Sequence, residues 1–364
     1  MSFDKNLKRF VRLFQNPQAF TKAWGALCEA AGSPQLQIPA EYTFLLQSLR
    51  FCGPCASNSL NILVLGNIVA PNSIEEWSQC GVEYWLCFYR VDGLTISGTG
   101  KIDGHGSAWW SYVNETCPRP RALYLHECNN LELRGLTHLN SQRNHIAIHQ
   151  CNHVSISDLH IIAPKTSPNT DGIDLSSSSQ INISHSFIGT GDDCIAIKGG
   201  TSHIYITDVT CGPGHGISVG SLGDDQDNRV KEVYVQHCTL NSTQNGVRIK
   251  TIQGGSGYAR VISFKDVTFI DSKNPIIIDQ HYVDKHISQI SEVNVSGVTY
   301  SGLQGTSIDE IAINLNCSSI GCEGIVMEEV NITSSVPGKK TYSYCKNAKG
   351  KSISTVPDVP CLSG

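Results

Sequence analysis

A short pattern, apolar-x-apolar-x-x-apolar, recurs along most of the chain and limits what it can fold into. It occurs at Leu94/Ile96, Leu131/Leu133/Leu136, Val154/Ile156/Leu159, Ile181/Ile183/Ser186 and Ile204/Ile206/Val209. It continues at Val233/Val235/Cys238, Ile262/Phe264/Val267, Val293/Val295/Val298 and Ile325/Met327/Val330. Successive units begin 37, 23, 27, 23, 29, 29, 31 and 32 residues apart. Each reads as a short β-branched strand with period-two alternation, closed by turn residues. A second short strand follows in several units, as in Ile146-Ala-Ile148, Ile173-Asp-Leu175, Ile195-Ala-Ile197, Ile217-Ser-Val219, Val247-Arg-Ile249 and Ile276-Ile-Ile278. Strand units at this spacing, with no helical segment between them, predict an all-β solenoid, a parallel β-helix. Leucine-rich repeats would need a Leu and Asn periodicity that is missing. A β-sandwich would show a hairpin turn every 8–12 residues or so.

The clear helical pattern covers about residues 17–31, with Phe20, Ala23, Trp24, Leu27 and Cys28 on one face. Its natural place is over the open N-terminal end of the solenoid, where it would cover unpaired strand edges. Residues 17–364 are expected to form one β-helix domain, closed by a cysteine-rich lid over about 334–364. Residues 1–16 are atypical. Phe3, Leu7, Phe10, Val11 and Phe14 share a helical face, with Lys5, Lys8, Arg9 and Arg12 among them, which predicts a surface helix.

Composition narrows the function classes. Only 16% of the 364 residues are charged, against about 25% in an average soluble protein. A net charge of −5 gives no general attraction to nucleic acid. No apolar run approaches the roughly 20 residues of a membrane helix. Fifteen cysteines suit an oxidising compartment. Six glycosylation sequons, starting at Asn114, Asn182, Asn241, Asn294, Asn316 and Asn331, point the same way. Met1 to Phe20 carries no signal-peptide pattern, so the expectation is a secreted chain whose start is truncated or mis-assigned. A β-helix buries its own interior, and a monomer is expected.

Register then brings charged residues together. Ile173, Ile195 and Ile217 are separated by 22 and 22 residues. Two positions before them stand Asp171, Asp193 and His215, with Asp192 beside Asp193. Neighbouring coils of a β-helix lie about 4.8 Å apart, so these residues form a column. In the next coil Arg248 and Lys250 take alternate outward positions, and Lys198 repeats the Lys250 offset. Carboxylates held this close raise one another's pKa, which can leave one protonated and another ionised, a general acid beside a general base. Hydrolysis of a glycosidic bond uses that division, and the inverting form keeps its two carboxyls roughly 6.5–9.5 Å apart to admit a water. The cations have a target in the carboxylates of an acidic sugar. Taken singly, the Asn-Thr-Asp-Gly and Gly-Asp-Asp segments are ordinary turn chemistry. A Ca²⁺ site is another reading of clustered carboxylates, against which His215 and Arg248 count.

At these residues the chain closely resembles the polygalacturonases, pectin-hydrolysing right-handed parallel β-helix glycosidases, and especially their plant branch. The resemblance rests on Asn169-Thr-Asp-Gly172, Gly191-Asp-Asp193, Gly214-His-Gly216 and Arg248-Ile-Lys250, in the family's order. It extends from about Pro17 to Cys361 and includes Val91-Asp-Gly-Leu-Thr-Ile-Ser-Gly98 and Asn274-Pro-Ile-Ile-Ile-Asp-Gln280. The resemblance implies that Asp192 is the general acid, that Asp171 and Asp193 activate the attacking water, and that His215 tunes the acid. It implies that Arg248 and Lys250 bind a substrate carboxylate, with Tyr282 as a further substrate contact. It implies hydrolysis of α-1,4-galacturonosyl linkages in polygalacturonate or demethylated pectin, with inversion and with no metal or organic cofactor. A binding protein that has lost turnover and a hydrolase of a branched pectin are the competing readings. The family pattern also suggests Cys194–Cys211 as a disulfide, with Cys317–Cys322, Cys345–Cys361 and Cys28–Cys55 as further pairs. Cys128, Cys151 and Cys238 are expected as buried free thiols.

Overall fold

The computed structural model describes residues 12–14, 17–77, 81–112, 116–223, 227–282 and 292–362. Almost all ordered backbone lies in parallel strands. One ladder of 11 strands runs the length of the molecule, and the other strands join in a 23-stranded assembly. Two tracks of that assembly are easily followed. Leu131–Arg134 pairs with Asn152–Ser157, and Thr137–Leu139 pairs with His160–Ile162. Each circuit of the chain therefore adds one strand to each face, and crossovers of this parallel type wind right-handed.

Seven strands of the 11-stranded ladder carry the chemistry. They are β1 (Arg121–His126), β2 (Ile146–His149), β3 (Ile173–Ser176), β4 (Ile195–Ile197), β5 (Ile217–Leu222), β6 (Asn245–Ile252) and β7 (Asn274–Tyr282). Ile146, Ile173, Ile195, Ile217, Val247 and Ile276 stack in register, and none exposes any surface. Burying one such side chain is worth about 1.5–3 kcal/mol, so a slip by one residue would turn a whole apolar column outward.

Helix α1 (Pro17–Glu29) lies over the N-terminal end. Phe20, Trp24 and Leu27 are buried; Trp24 packs on Phe51 and Phe88 and donates its indole N–H to the Cys52 carbonyl. The Cys28–Cys55 disulfide ties the helix down. Disulfides also join Cys194–Cys211, Cys317–Cys322 and Cys345–Cys361, while Cys128, Cys151 and Cys238 are buried free thiols. The helix predicted for residues 3–14 is not what Arg12–Phe14 form. They make a strand parallel to Tyr42–Phe44, because an open strand edge offers backbone partners that outweigh local periodicity. Phe3, Leu7, Phe10 and Val11 lie outside the described residues. Toward the C-terminus the strands Tyr342–Lys346 and Ala348–Val356 continue both sheets. No helix among the described residues is long and apolar enough to cross a membrane.

One inward position breaks the apolar rule. His138 sits between Ile102 and Ile161 in the stack, is 1% exposed, and has no partner for either ring nitrogen. Burial, followed by the neighbouring His145, pushes its pKa down to about 3. The unfolded chain binds a proton here near pH 6.5 and the folded chain does not, so stability falls as pH drops below that value, by about 2 kcal/mol at pH 5 from this residue alone. His138→Ile should raise stability at pH 7 by about 1–3 kcal/mol and flatten the pH dependence between 5 and 7. Urea unfolding at both pH values checks this; an unchanged slope would contradict it.

Candidate active site

Asp171 precedes β3, Asp192 and Asp193 precede β4, and His215 precedes β5, so the turns into three consecutive strands supply the acids and the imidazole. The backbone is tightly constrained there. Gly216 has φ +90°, and a Cβ on it would lie 2.2 Å from the carbonyls of Asn245 and Gly246. Only glycine fits, and the bend swings His215 back onto the preceding coil. Its backbone N–H donates to the Asp192 carbonyl at 2.7 Å, and its Nδ1 stands 2.9 Å from Asp192 Oδ1. Gly191 is equally constrained, since a Cβ would lie 1.9 Å from the Ser167 carbonyl.

Asp193 turns the other way, into the ladder. Its Oδ1 accepts from Arg248 Nη2 at 2.6 Å and Ser218 Oγ at 2.9 Å, and its Oδ2 accepts from Lys250 Nζ at 2.9 Å. Arg248 Nε closes the network by donating to Ser218 Oγ at 2.9 Å. The side chains of Asp193, Arg248 and Lys250 are only 2%, 9% and 10% exposed. The two cations predicted as free substrate binders are thus first the counter-charges of a buried carboxylate, which would be very costly to bury unpaired. The Lys250 ammonium also lies 5.2 Å from the centre of the Tyr282 ring.

Charge is divided unequally among the acids. Burial, then Asp174, Asp192 and Asp193, hold the Asp171 carboxyl well above the usual carboxylate range, with Lys198 as a partial offset. Burial works in the same direction on Asp192, but the hydrogen bond and charge of His215, the Asp193 N–H and Lys250 outweigh it and leave the carboxyl below its ordinary value. Asp171 therefore binds a proton more readily than Asp192, which faces its imidazole. Asp192 and His215 are also the open members, with side chains 19% and 32% exposed.

All seven residues singled out by sequence meet here. Asp192, Asp193 and His215 place ligand atoms within 4.8 Å of one another, a spacing that would suit a metal ion. Both Asp193 oxygens, however, already accept from the chain's own cations, which leaves a poor donor set. Sequence reasoning missed Ser218, the link between Asp193 and Arg248, although its outward place between Ile217 and Val219 could have marked it. It missed Asn169, which reaches Asp192 Oδ2 at 3.4 Å and is itself held by Arg119 Nη2 at 2.6 Å. It also missed Asp174, 6% exposed, which takes a hydrogen bond from Asn144 and an ion pair from Lys198 at 2.6 Å. Arg119 and Asn144 lie in other coils and carry no local signal.

Comparison with known proteins gives the family. Residues 28–355 match the family model described as glycosyl hydrolases family 28. The chain belongs to that family. It is 46% identical over 354 residues to a probable polygalacturonase of Arabidopsis thaliana, covering 95% of this chain and 76% of that protein. It is 40% identical over 344 residues to polygalacturonase-2 of Solanum lycopersicum, covering 90% and 74%. Among solved structures, an endo-xylogalacturonan hydrolase from Aspergillus tubingensis superposes with a TM-score of 0.81 at 25% identity, covering 95% of each chain. This family 28 hydrolase is thus a right-handed parallel β-helix.

The two aspartates of the Gly-Asp-Asp turn should separate on substitution. Asp193→Asn leaves Arg248 and Lys250 buried beside a neutral amide, and should lower stability by about 3–5 kcal/mol as well as activity. Asp192→Asn, at the open side, should leave the thermal midpoint close to wild type. Calorimetric unfolding of both variants decides the point; equal midpoints would contradict the buried-pair account.

Proposed function

We propose that the enzyme hydrolyses α-1,4-galacturonosyl linkages in polygalacturonate and demethylated pectin by an inverting acid/base mechanism. The observation that carries this is the set of three aspartates split into an open, imidazole-paired Asp192, a buried Asp171 whose carboxyl is held above the usual carboxylate range, and a doubly cation-paired Asp193. In the active form Asp192 and His215 share one proton. As the leaving oxygen approaches, Asp192 passes that proton to it, so the sugar alkoxide never has to leave as an anion. On the other side, Asp171, once ionised, and Asp193 hold and deprotonate the water that attacks the anomeric carbon. Lys250 has three N–H donors and gives one to Asp193; it turns another to the carboxylate of the sugar undergoing cleavage, beside Tyr282. Arg248 acts chiefly by holding Asp193 in place, directly and through Ser218.

A cell-wall substrate accords with an extracellular protein. Asn182, Asn241, Asn294 and Asn331 of the sequons are exposed and Asn316 is half-buried, while Asn114 lies outside the described residues. A branched galacturonan is the second reading, favoured by the fold's likeness to the xylogalacturonan hydrolase.

Release of reducing ends from polygalacturonate tests the reading. Wild type should be active, Asp192→Asn should lose at least about a hundredfold, and product sizes will distinguish internal from terminal cleavage. Proton NMR of the first product should show the inverted anomer. Activity on xylogalacturonan alone would establish the second reading instead.

The pH profile follows from the same charges. The water-activating form requires ionised Asp171, whose pKa is raised, so kcat/KM should fall with decreasing pH through a limb above the ordinary carboxylate range, a limb belonging to the coupled cluster. Asp174→Asn removes a neighbouring negative charge, lowers the Asp171 pKa, and should move that limb to lower pH. A limb unmoved by Asp174→Asn would refute the assignment of Asp171.

A further inference from the structure

In the same two coils as the catalytic aspartates, further along β3 and β4, lies a second ion pair of similar make. Lys198 follows β4 and places its Nζ 2.6 Å from Asp174 Oδ2, much as Lys250 stands 2.9 Å from Asp193. Accessibility sets them apart. The Lys198 side chain is 35% exposed and that of Lys250 only 10%. Lys198, Asp174, His149, Tyr124 and Arg121 line one cavity over β1–β4, and Asp174 and Lys198 are near enough to Asp171 to act on its charge. The rings of Tyr124 and His149 stack on one another, inclined by 27° with centres 6.4 Å apart, and both border this cavity.

The other charges around the cavity largely compensate each other. Arg121 faces Glu83 at 3.8 Å, and Asp227 is held by Arg229 at 2.7 Å. The Lys198 ammonium has three donors, of which Asp174 accepts one. Burial alone would lower its pKa, but Asp174 and Asp171 raise it, so the group enters the cavity charged.

We propose that Lys198, positioned by Asp174, binds the carboxylate of a second uronate, in a sugar lying in the cavity over β2–β4, beside Tyr124 and His149. The enzyme would then read two acidic groups along the chain, one at Lys250 and one at Lys198. This rests on the polygalacturonate reading above. The competing role is structural, Lys198 doing no more than neutralising Asp174.

The two roles separate in a pair of variants assayed on trigalacturonate. Asp174→Asn removes the charge that Lys198 would neutralise, and Asp174→Asn/Lys198→Gln removes the cation as well. A binding role predicts that the double variant has KM about tenfold or more above the single variant, with kcat within a few-fold. That excess should shrink on the methyl-esterified trisaccharide, and Lys198→Arg should keep most of the wild-type affinity. Equal KM values in the single and double variants, with thermal midpoints confirming that both are folded, would overturn the proposal. Calorimetric titration of trigalacturonate into the same two variants, each also carrying Asp192→Asn, gives the same comparison without turnover. Binding without cleavage by wild type would count against the hydrolase reading alone, whereas absence of binding would overturn both.

Discussion

Parallel hydrogen bonding between neighbouring coils is the constraint on which this molecule depends. It fixes the coil spacing, and with the inward isoleucine and valine columns it fixes register, because a one-residue slip would expose an entire column. Once Ile173, Ile195 and Ile217 are locked above one another, the residues two positions earlier have no freedom to be anywhere but at the mouth of the same groove. Asp171, Asp193 and His215 are brought together without any long-range interaction of their own. The backbone does the positioning, and the side chains need only be of the right type.

What register leaves open is the distribution of charge, and burial settles that. Asp193 points into the ladder and requires two cations and a hydroxyl; Asp192, one residue earlier, points out and takes an imidazole. Asp171, buried among other carboxylates, holds a proton more tightly than a free carboxyl does. Identical functional groups thus acquire different surroundings, and Asp171 and Asp192 shift in opposite directions, which is how a site of aspartates can supply both an acid and a base. Because Arg248 and Lys250 both compensate a buried anion, disturbing either should cost stability, and under the proposed function Lys250 combines that task with contact to the substrate.

Much of this was legible in the sequence, for a physical reason. A solenoid converts sequence offset into spatial stacking, so the position of each Asp relative to the next isoleucine was enough to predict the column, and the strand pattern was enough to predict Cys128, Cys151 and Cys238 as buried. Reading stopped where geometry depends on which way a side chain turns. Arg248 and Lys250 looked outward and free because their partner Asp193 is 55 and 57 residues away. Asp174 looked like the middle of an ordinary strand. The Arg12–Phe14 strand was hidden because three residues carry too little periodicity to outvote a helical pattern, and their partner is an edge that only the folded chain presents. His138 occupies an apolar slot without apolar character, and no pattern based on hydrophobicity would place it inside.

The 22-residue intervals between the aspartate and histidine coils also have a consequence for how such a chain can change. Coils elsewhere run to 29, 31 or 37 residues, which shows that the scaffold accepts extra chain at its turns. Even between Asp171 and His215, chain added at a turn would leave the column in register, as the longer step from Ile217 to Val247 does, and would move only a loop at the groove's rim. An insertion within a strand would instead break the column. Addition of a whole coil before β1 would lengthen the track along which a polymer lies and leave the reacting groups where they are. Reach along the substrate and chemistry at the bond are therefore separable in this architecture, and can be altered independently by adding or removing chain at different points of the same helix.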